Sequence, residues 1–86
     1  MKILLAEDDP SLGEAIQASL DYEGLSVDWF QRGDTALSAI EMNHYDSVIL
    51  DIGLPGISGL QVLRAIRDQA NRVPVLLPTA LGSVTD

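Results

Sequence analysis

Eighty-six residues make one small domain, able to bury only about 60 to 65% of the surface its unfolded chain exposes. With no cysteine in the chain, neither a disulfide framework nor a thiolate metal site can reinforce that core. Five basic against thirteen acidic residues leave a net charge of −8, which repels phosphate backbones and argues against direct nucleic-acid binding by this segment.

No apolar stretch is long enough to span a bilayer, and the run opened by Met1-Lys2 meets acids within a few residues, unlike a secretory leader. A cytoplasmic location is the expectation. Residues 2 to 6 read as a buried strand, because the short apolar run Ile3-Leu4-Leu5-Ala6 is closed by Glu7-Asp8-Asp9 instead of continuing with helical spacing. Asp9-Pro10 then starts a helix: aspartate is a good N-cap and proline suits the first helical position. Leu12, Ala15, Ile16 and Leu20 share one face of it, and Gly24 is a natural stop.

Leu25, Val27 and Trp29 alternate with Ser26, Asp28 and Phe30 as in a half-buried second strand. Gly33-Asp34 turns the chain into a short helix carrying Ala36, Leu37 and Ile40, with Asp34 as its expected cap and Asn43 near its end. Ser47 to Leu50 form a third strand, ended by Asp51. The stretch from Gly53 to Gly59 is a loop from which Ser58 can cap a third helix, with Leu63 and Ile66 facing inward and Asn71-Arg72 closing it. Val73 to Leu77 read as a fourth strand, then Pro78-Thr79-Ala80 and a polar tail from Gly82.

Strands alternating with helices at this spacing imply right-handed crossovers and a mostly parallel sheet, whose ligands bind beyond the carboxyl ends of the strands where the strand order reverses. An order of 2-1-3-4 puts that reversal between the first and third strands. Glu7, Asp8 and Asp51 would then meet at one sheet edge, and crowded carboxylates favour a raised pKa or a hard cation such as Mg²⁺.

Three segments carry a resemblance in order along the whole chain: residues 3 to 9, residues 47 to 59 (Ser47-Val48-Ile49-Leu50-Asp51 through Gly59), and Val73-Pro74-Val75-Leu76-Leu77-Pro78-Thr79-Ala80. Together they resemble the response-regulator receiver domain of two-component signalling systems. The acidic opening, Ser26-Val27-Asp28-Trp29 and the Leu54-Pro55-Gly56 loop look most like the OmpR/PhoB subfamily of winged-helix transcription regulators. The resemblance implies a flavodoxin-like doubly wound α/β sheet that makes residues 1–86 a receiver ending before the family's fifth strand, with the DNA-binding effector outside it. It also implies that Asp51 accepts a phosphoryl group from a histidine of a sensor kinase, so that the domain is a phosphoacceptor more than an enzyme. Mg²⁺ would be held by Asp8, Asp51 and the main-chain carbonyl of Gly53, with Glu7 acting through a water, and Thr79 would be the switch hydroxyl.

Blander roles compete at each position. Capping of the first helix accounts for Asp9, whereas Glu7 and Asp8 are assigned to the pocket because Asp51 independently ends another apolar strand. His44 reads as an ordinary polar residue near a helix end, Trp29 and Phe30 as packing, and Arg64 and Arg67 as a solvated face. A haloacid-dehalogenase-like phosphohydrolase needs an Asp-x-Asp motif that Glu7-Asp8-Asp9 does not supply.

The pattern departs from the family in two places. The family's fifth strand ends in a lysine, which Lys2 cannot replace from roughly 15 Å away at the other end of the first strand. Pro78 stands where an aliphatic residue is usual. A fourth strand left as an edge, with Pro74 and Pro78 lacking donors on its outer side, leads to the expectation that the chain self-associates through apolar faces, as an interaction module if phosphorylation is lost.

Overall fold

The computed structural model describes residues 1–79 and 82–85, with Thr79 and residues 82–85 given by their backbone alone. In chain order the elements are β1 (Lys2–Ala6), α1 (Pro10–Tyr22), β2 (Ser26–Phe30), α2 (Gly33–Met42), β3 (Ser47–Leu50), α3 (Gly59–Asp68), β4 (Val75–Thr79) and β5 (Gly82–Thr85). The sheet order is β2-β1-β3-β4-β5. The first four strands are parallel, in the order expected from the sequence.

One sheet face presents Leu4, Ala6, Val48, Leu50, Val75 and Leu77, all buried, to Ala36 and Ile40 of α2 and Val62 and Ile66 of α3. The inward residues of α3 are thus Val62 and Ile66, with Leu63 only half-buried at the edge of the cluster. On the other face the register aligns Trp29, Leu5, Ile49 and Leu76 across the four parallel strands. There α1 packs on β1 and β2. The expected inward stripe of α1 is corrected: Gly13 is its buried residue, Ile16 and Leu20 are half-buried, and Leu12 and Ala15 are exposed. The helix seats Gly13 on the Trp29 ring, so the stripe to one side borders a groove with Leu5 and Ile49.

The ends of the helices show where local chemistry decides. The Asp9 carboxylate accepts from the N–H groups of Ser11 and Leu12, at 3.0 and 3.4 Å, and Ser58 forms a reciprocal capping box with Gln61. Asp34 does not cap α2. The helix starts two residues earlier than that cap would set it, with Arg32 in the cap position, and Asp34 in the first turn accepts two guanidinium bonds from Arg32 and the Thr35 N–H. The expected closure of α3 at Asn71-Arg72 is also displaced: its cap is Gln69, and Ala70 follows at φ 60°. A left-handed alanine costs about 1–2 kcal/mol, part of which glycine returns as unfolded-chain entropy. Ala70→Gly should therefore raise stability by about 0.5–1 kcal/mol, read as a higher denaturant midpoint with an unchanged slope.

The largest correction concerns β4, which begins two residues later than expected and is not an edge. Pro74 accepts the Val48 N–H at 2.9 Å, and a strand residue turns its nitrogen and carbonyl to the same side. The alternation therefore turns residues 74, 76 and 78 toward β3, opposite to the expectation for Pro74 and Pro78. The β3–β4 register runs only through Val48↔Val75 and Ile49↔Leu76, while β1–β3 continues to Ala6↔Leu50. Residue 78 would be the next donor to β3, and its nitrogen carries no hydrogen. The outward backbone groups of β4 are intact, and β5 pairs with them antiparallel, from Leu76↔Thr85 to Thr79↔Gly82. The fifth strand is thus a hairpin return of the segment expected to be a polar tail. Pro78→Leu restores the missing donor and should stabilise the fold by about 0.5–1.5 kcal/mol, measured by chemical denaturation and by protection of the variant's new residue-78 amide from exchange relative to an unstructured chain.

Candidate functional site

The site grows out of two strand ends. β1 and β3 are adjacent and parallel, so the residues that follow Ala6 and Leu50 emerge side by side. The Asp51 N–H continues the ladder to the Ala6 carbonyl at 2.9 Å, and the Glu7 N–H reaches the Phe30 carbonyl at 3.0 Å on the other side. These bonds bring one carboxylate oxygen from each of Glu7, Asp8 and Asp51 within 4.8 Å of one another. The three acids picked from the sequence therefore form one cluster at the point where strand order reverses, while Asp9 stands apart as the α1 cap.

Burial differs across the cluster. Glu7 is buried, Asp51 half-buried and Asp8 exposed. Burial pushes the Glu7 carboxyl above its ordinary value; an N–H from Asp9 pulls it partly back, and the charge and hydrogen bonding of Asp51, with a smaller contribution from Asp8, push it up again. Between the ordinary value and the raised one, the folded chain holds a proton that the unfolded chain has lost. Ionised Glu7 consequently costs stability above its raised pKa, and that cost shrinks as pH falls from the raised value toward the ordinary one.

An all-oxygen set of three acids at this spacing is the chemistry of a hard divalent cation, which would relieve their repulsion. The residues fit such an ion. The Gly53 N–H lies 3.4 Å from Asp51 Oδ1, in the exposed loop after β3. Thr79 lies at the end of β4, and the side chain expected to act as the switch hydroxyl is outside the described residues. Lys2 is engaged at the far end of β1, 3.5 Å from Asp28 and over the Tyr45 ring, whose hydroxyl donates to Asp28 at 2.7 Å. Burial and the Asp28 carboxylate hold that phenol protonated well above its ordinary range.

Two contributors escaped the sequence reading. Gly59 opens α3 with its N–H on the Ile52 carbonyl, and a Cβ there would stand 2.3 Å from the Asp51 carbonyl oxygen. The Trp29 indole N–H donates to the Glu7 carbonyl at 2.9 Å, and a Cβ on Gly13 would lie 2.0 Å from the same ring. A groove of about 470 Å³ runs from Glu7, Asp51 and Ile52 along Leu5, Ile49, Leu12, Ile16 and Pro78.

Strand order and an acidic cluster at the strand ends define a doubly wound receiver-type domain, and comparison with known proteins agrees. Residues 3–86 match the response regulator receiver domain family. The chain belongs to that family. It is 49% identical over 86 residues to the response regulator protein PmrA of Pseudomonas aeruginosa and 46% identical over 86 residues to the transcriptional regulatory protein QseB of Escherichia coli O157:H7, covering 100% of this chain and 39% of each relative. It thus spans well under half the length of these curated relatives. Among solved structures, the response regulator TrrA of Thermotoga maritima in complex with Mg²⁺ and BeF aligns with a TM-score of 0.86 at 39% identity, over 92% of this chain and 69% of that one. TrrA in complex with the histidine kinase ThkA aligns with a TM-score of 0.83 at 39% identity, over 92% of this chain and 68% of that one. No helix among the described residues is long and apolar enough to cross a membrane.

Proposed function

We propose that this chain is the phosphoacceptor receiver of a cytoplasmic two-component response regulator of the OmpR/PhoB kind, with residues 1–86 forming receiver sequence and the transcription-regulating, DNA-binding effector lying outside it. Its partner is a sensor histidine kinase. The convergence of Glu7, Asp8 and Asp51 at the reversal of strand order carries the reading. An Asp51 carboxylate oxygen attacks phosphorus, the P–N bond of the kinase phosphohistidine breaks, and the imidazole leaves with a proton from solvent, giving an acyl phosphate on Asp51.

Asp8, Asp51 and the Gly53 carbonyl would hold Mg²⁺, with Glu7 reaching it through a water. Bound there, the ion withdraws charge from the transferring phosphoryl oxygens. The protein's own contribution is positional: two adjacent strand ends fix Asp51 and the acids facing it, and Thr79, the last residue of β4, is the proposed switch hydroxyl. Acetyl phosphate with Mg²⁺ should add one phosphoryl group, about 80 Da by intact mass. Release of phosphate from many substrates, with no adduct, would instead indicate a phosphohydrolase.

Asp8→Ala should weaken Mg²⁺ binding roughly tenfold or more, since one of the proposed ligands is lost. The same change relieves carboxylate repulsion and should leave the metal-free fold as stable or slightly more so. Isothermal titration and denaturation of one preparation check both signs. In the wild type, Mg²⁺ affinity should fall as pH drops through the raised pKa of Glu7, because the proton and the cation compete for the same cluster.

A second reading, an interaction module that associates with copies of itself, is supported by the groove between α1 and the β1–β3 face, where Leu12 is 48% exposed. Concentration-dependent light scattering with concentration-dependent unfolding would favour it. A folded monomer at high concentration, together with the phosphoryl adduct, would leave the receiver reading alone.

A further inference from the structure

The pairing of β1 with β2 ends at Ala6↔Phe30, and the Glu7 N–H donates to the Phe30 carbonyl as the last bond of that ladder. In a parallel pair the next bond would run from the N–H of residue 32 to the Glu7 carbonyl. That donor is lost because β2 ends at Phe30 and the chain turns into α2 at Gly33. The Trp29 indole N–H takes its place, at 2.9 Å. The carbonyl it holds belongs to the peptide joining Glu7 to Asp8. The bond therefore fixes the plane from which both acids depart. The next peptide is fixed in turn by the Asp9 N–H on Glu7 Oε2, at 3.1 Å.

The indole can occupy this position only because α1 offers it a glycine. A Cβ on Gly13 would stand 2.0 Å from Trp29 Cζ2, 2.3 Å from Cε2 and 2.8 Å from Nε1. Gly13, Trp29 and the Glu7 carbonyl are therefore stacked from helix to ring to acidic turn.

We infer that Trp29 is a positioning residue for the divalent-cation site: its indole N–H, seated by Gly13, replaces the missing ladder donor and sets the Glu7–Asp8 peptide so that both carboxylates face Asp51. This rests on the receiver reading, in which the cluster holds Mg²⁺. Packing alone would require the ring's bulk and not its N–H, and the two roles separate experimentally.

The test is isothermal titration of Mg²⁺ into the wild type, Trp29→Phe, Gly13→Ala, their double variant, and a synthetic chain in which sulfur replaces the indole N–H. Far-ultraviolet circular dichroism and denaturation accompany each titration. The sulfur isostere and Trp29→Phe should each lose affinity about five- to tenfold while remaining folded. Gly13→Ala, which retains the tryptophan but displaces its ring, should lose a similar amount, and the double variant should be no weaker than Trp29→Phe. Wild-type affinity in the folded isostere would overturn the inference even if stability fell, and this isostere decides the matter if Trp29→Phe fails to fold. Additive losses in the double variant would also overturn it. Absence of Mg²⁺ binding by the wild type would refute the cation-site reading itself, and the inference with it, a result distinct from wild-type binding that the isostere leaves unchanged.

Discussion

Asp51→Asn should abolish the phosphoryl adduct formed from acetyl phosphate while leaving the chain folded. The amide keeps the shape of the carboxylate but is a poor nucleophile and a weak ligand for a hard cation, so uptake and Mg²⁺ affinity should fall together. Its backbone bond to Ala6 is untouched. Asp51 also raises the Glu7 carboxyl through its charge and hydrogen bonding, and the neutral amide removes the charge repulsion. Less strain on ionised Glu7 predicts equal or higher stability above the raised pKa, with a weaker dependence on pH through that region. An adduct of undiminished yield in this variant would remove Asp51 from the chemistry. A cooperative unfolding transition at or above the wild-type midpoint separates loss of chemistry from loss of fold.

Much of this arrangement was legible because a parallel sheet puts chemistry where apolar runs stop. β1 and β3 lie where the sequence put them, at Lys2–Ala6 and Ser47–Leu50, since each is a short apolar run closed by an acid. Once those strands are neighbours, convergence of Glu7, Asp8 and Asp51 follows from geometry. β4 was less legible because Val73-Pro74 continues the apolar run without being strand, and β5 because Gly82-Ser83-Val84-Thr85 has too little apolar content to signal one. The side to which Pro74 and Pro78 turn depends on phase, which only the bond from Val48 fixes.

Periodicity failed on α1 for a related reason. Leu12, Ala15, Ile16 and Leu20 mark a real stripe, but the closest approach of the helix to the sheet is governed by its smallest residue, Gly13, over the largest, Trp29. Neither residue announces that contact. The bond from the indole to Glu7 is equally silent in sequence, because it joins a side chain to a backbone carbonyl across elements. Gly59 was visible as one of several loop glycines. Its role as the point where α3 touches the backbone of Asp51 was not.

That contact gives the second large expected effect. Gly59→Ala would place a Cβ 2.3 Å from the Asp51 carbonyl oxygen and 2.9 Å from its carbon, against backbone that cannot swing aside as a flexible side chain would. Either the start of α3 shifts, at the expense of the Gly59–Ile52 bond and the packing of Val62 and Ile66, or residues 51 and 52 shift. Overpacking of this kind typically costs about 1–3 kcal/mol, which in a domain of this size lowers the melting temperature by roughly 5–20 °C. Displacement of Asp51 should also reduce phosphoryl uptake at temperatures where the variant is still folded. Gly53→Ala provides the contrast in the same loop. Among the described residues, no atom beyond the chain neighbours lies within 4 Å of a Cβ there, φ is not positive, and the main-chain carbonyl proposed as a ligand is retained. It should change stability by less than about 0.5 kcal/mol and keep Mg²⁺ affinity near wild type. Near-wild-type stability and uptake in both variants would show that the loop tolerates side chains at both positions and that close approach at Gly59 does not hold the acceptor in place.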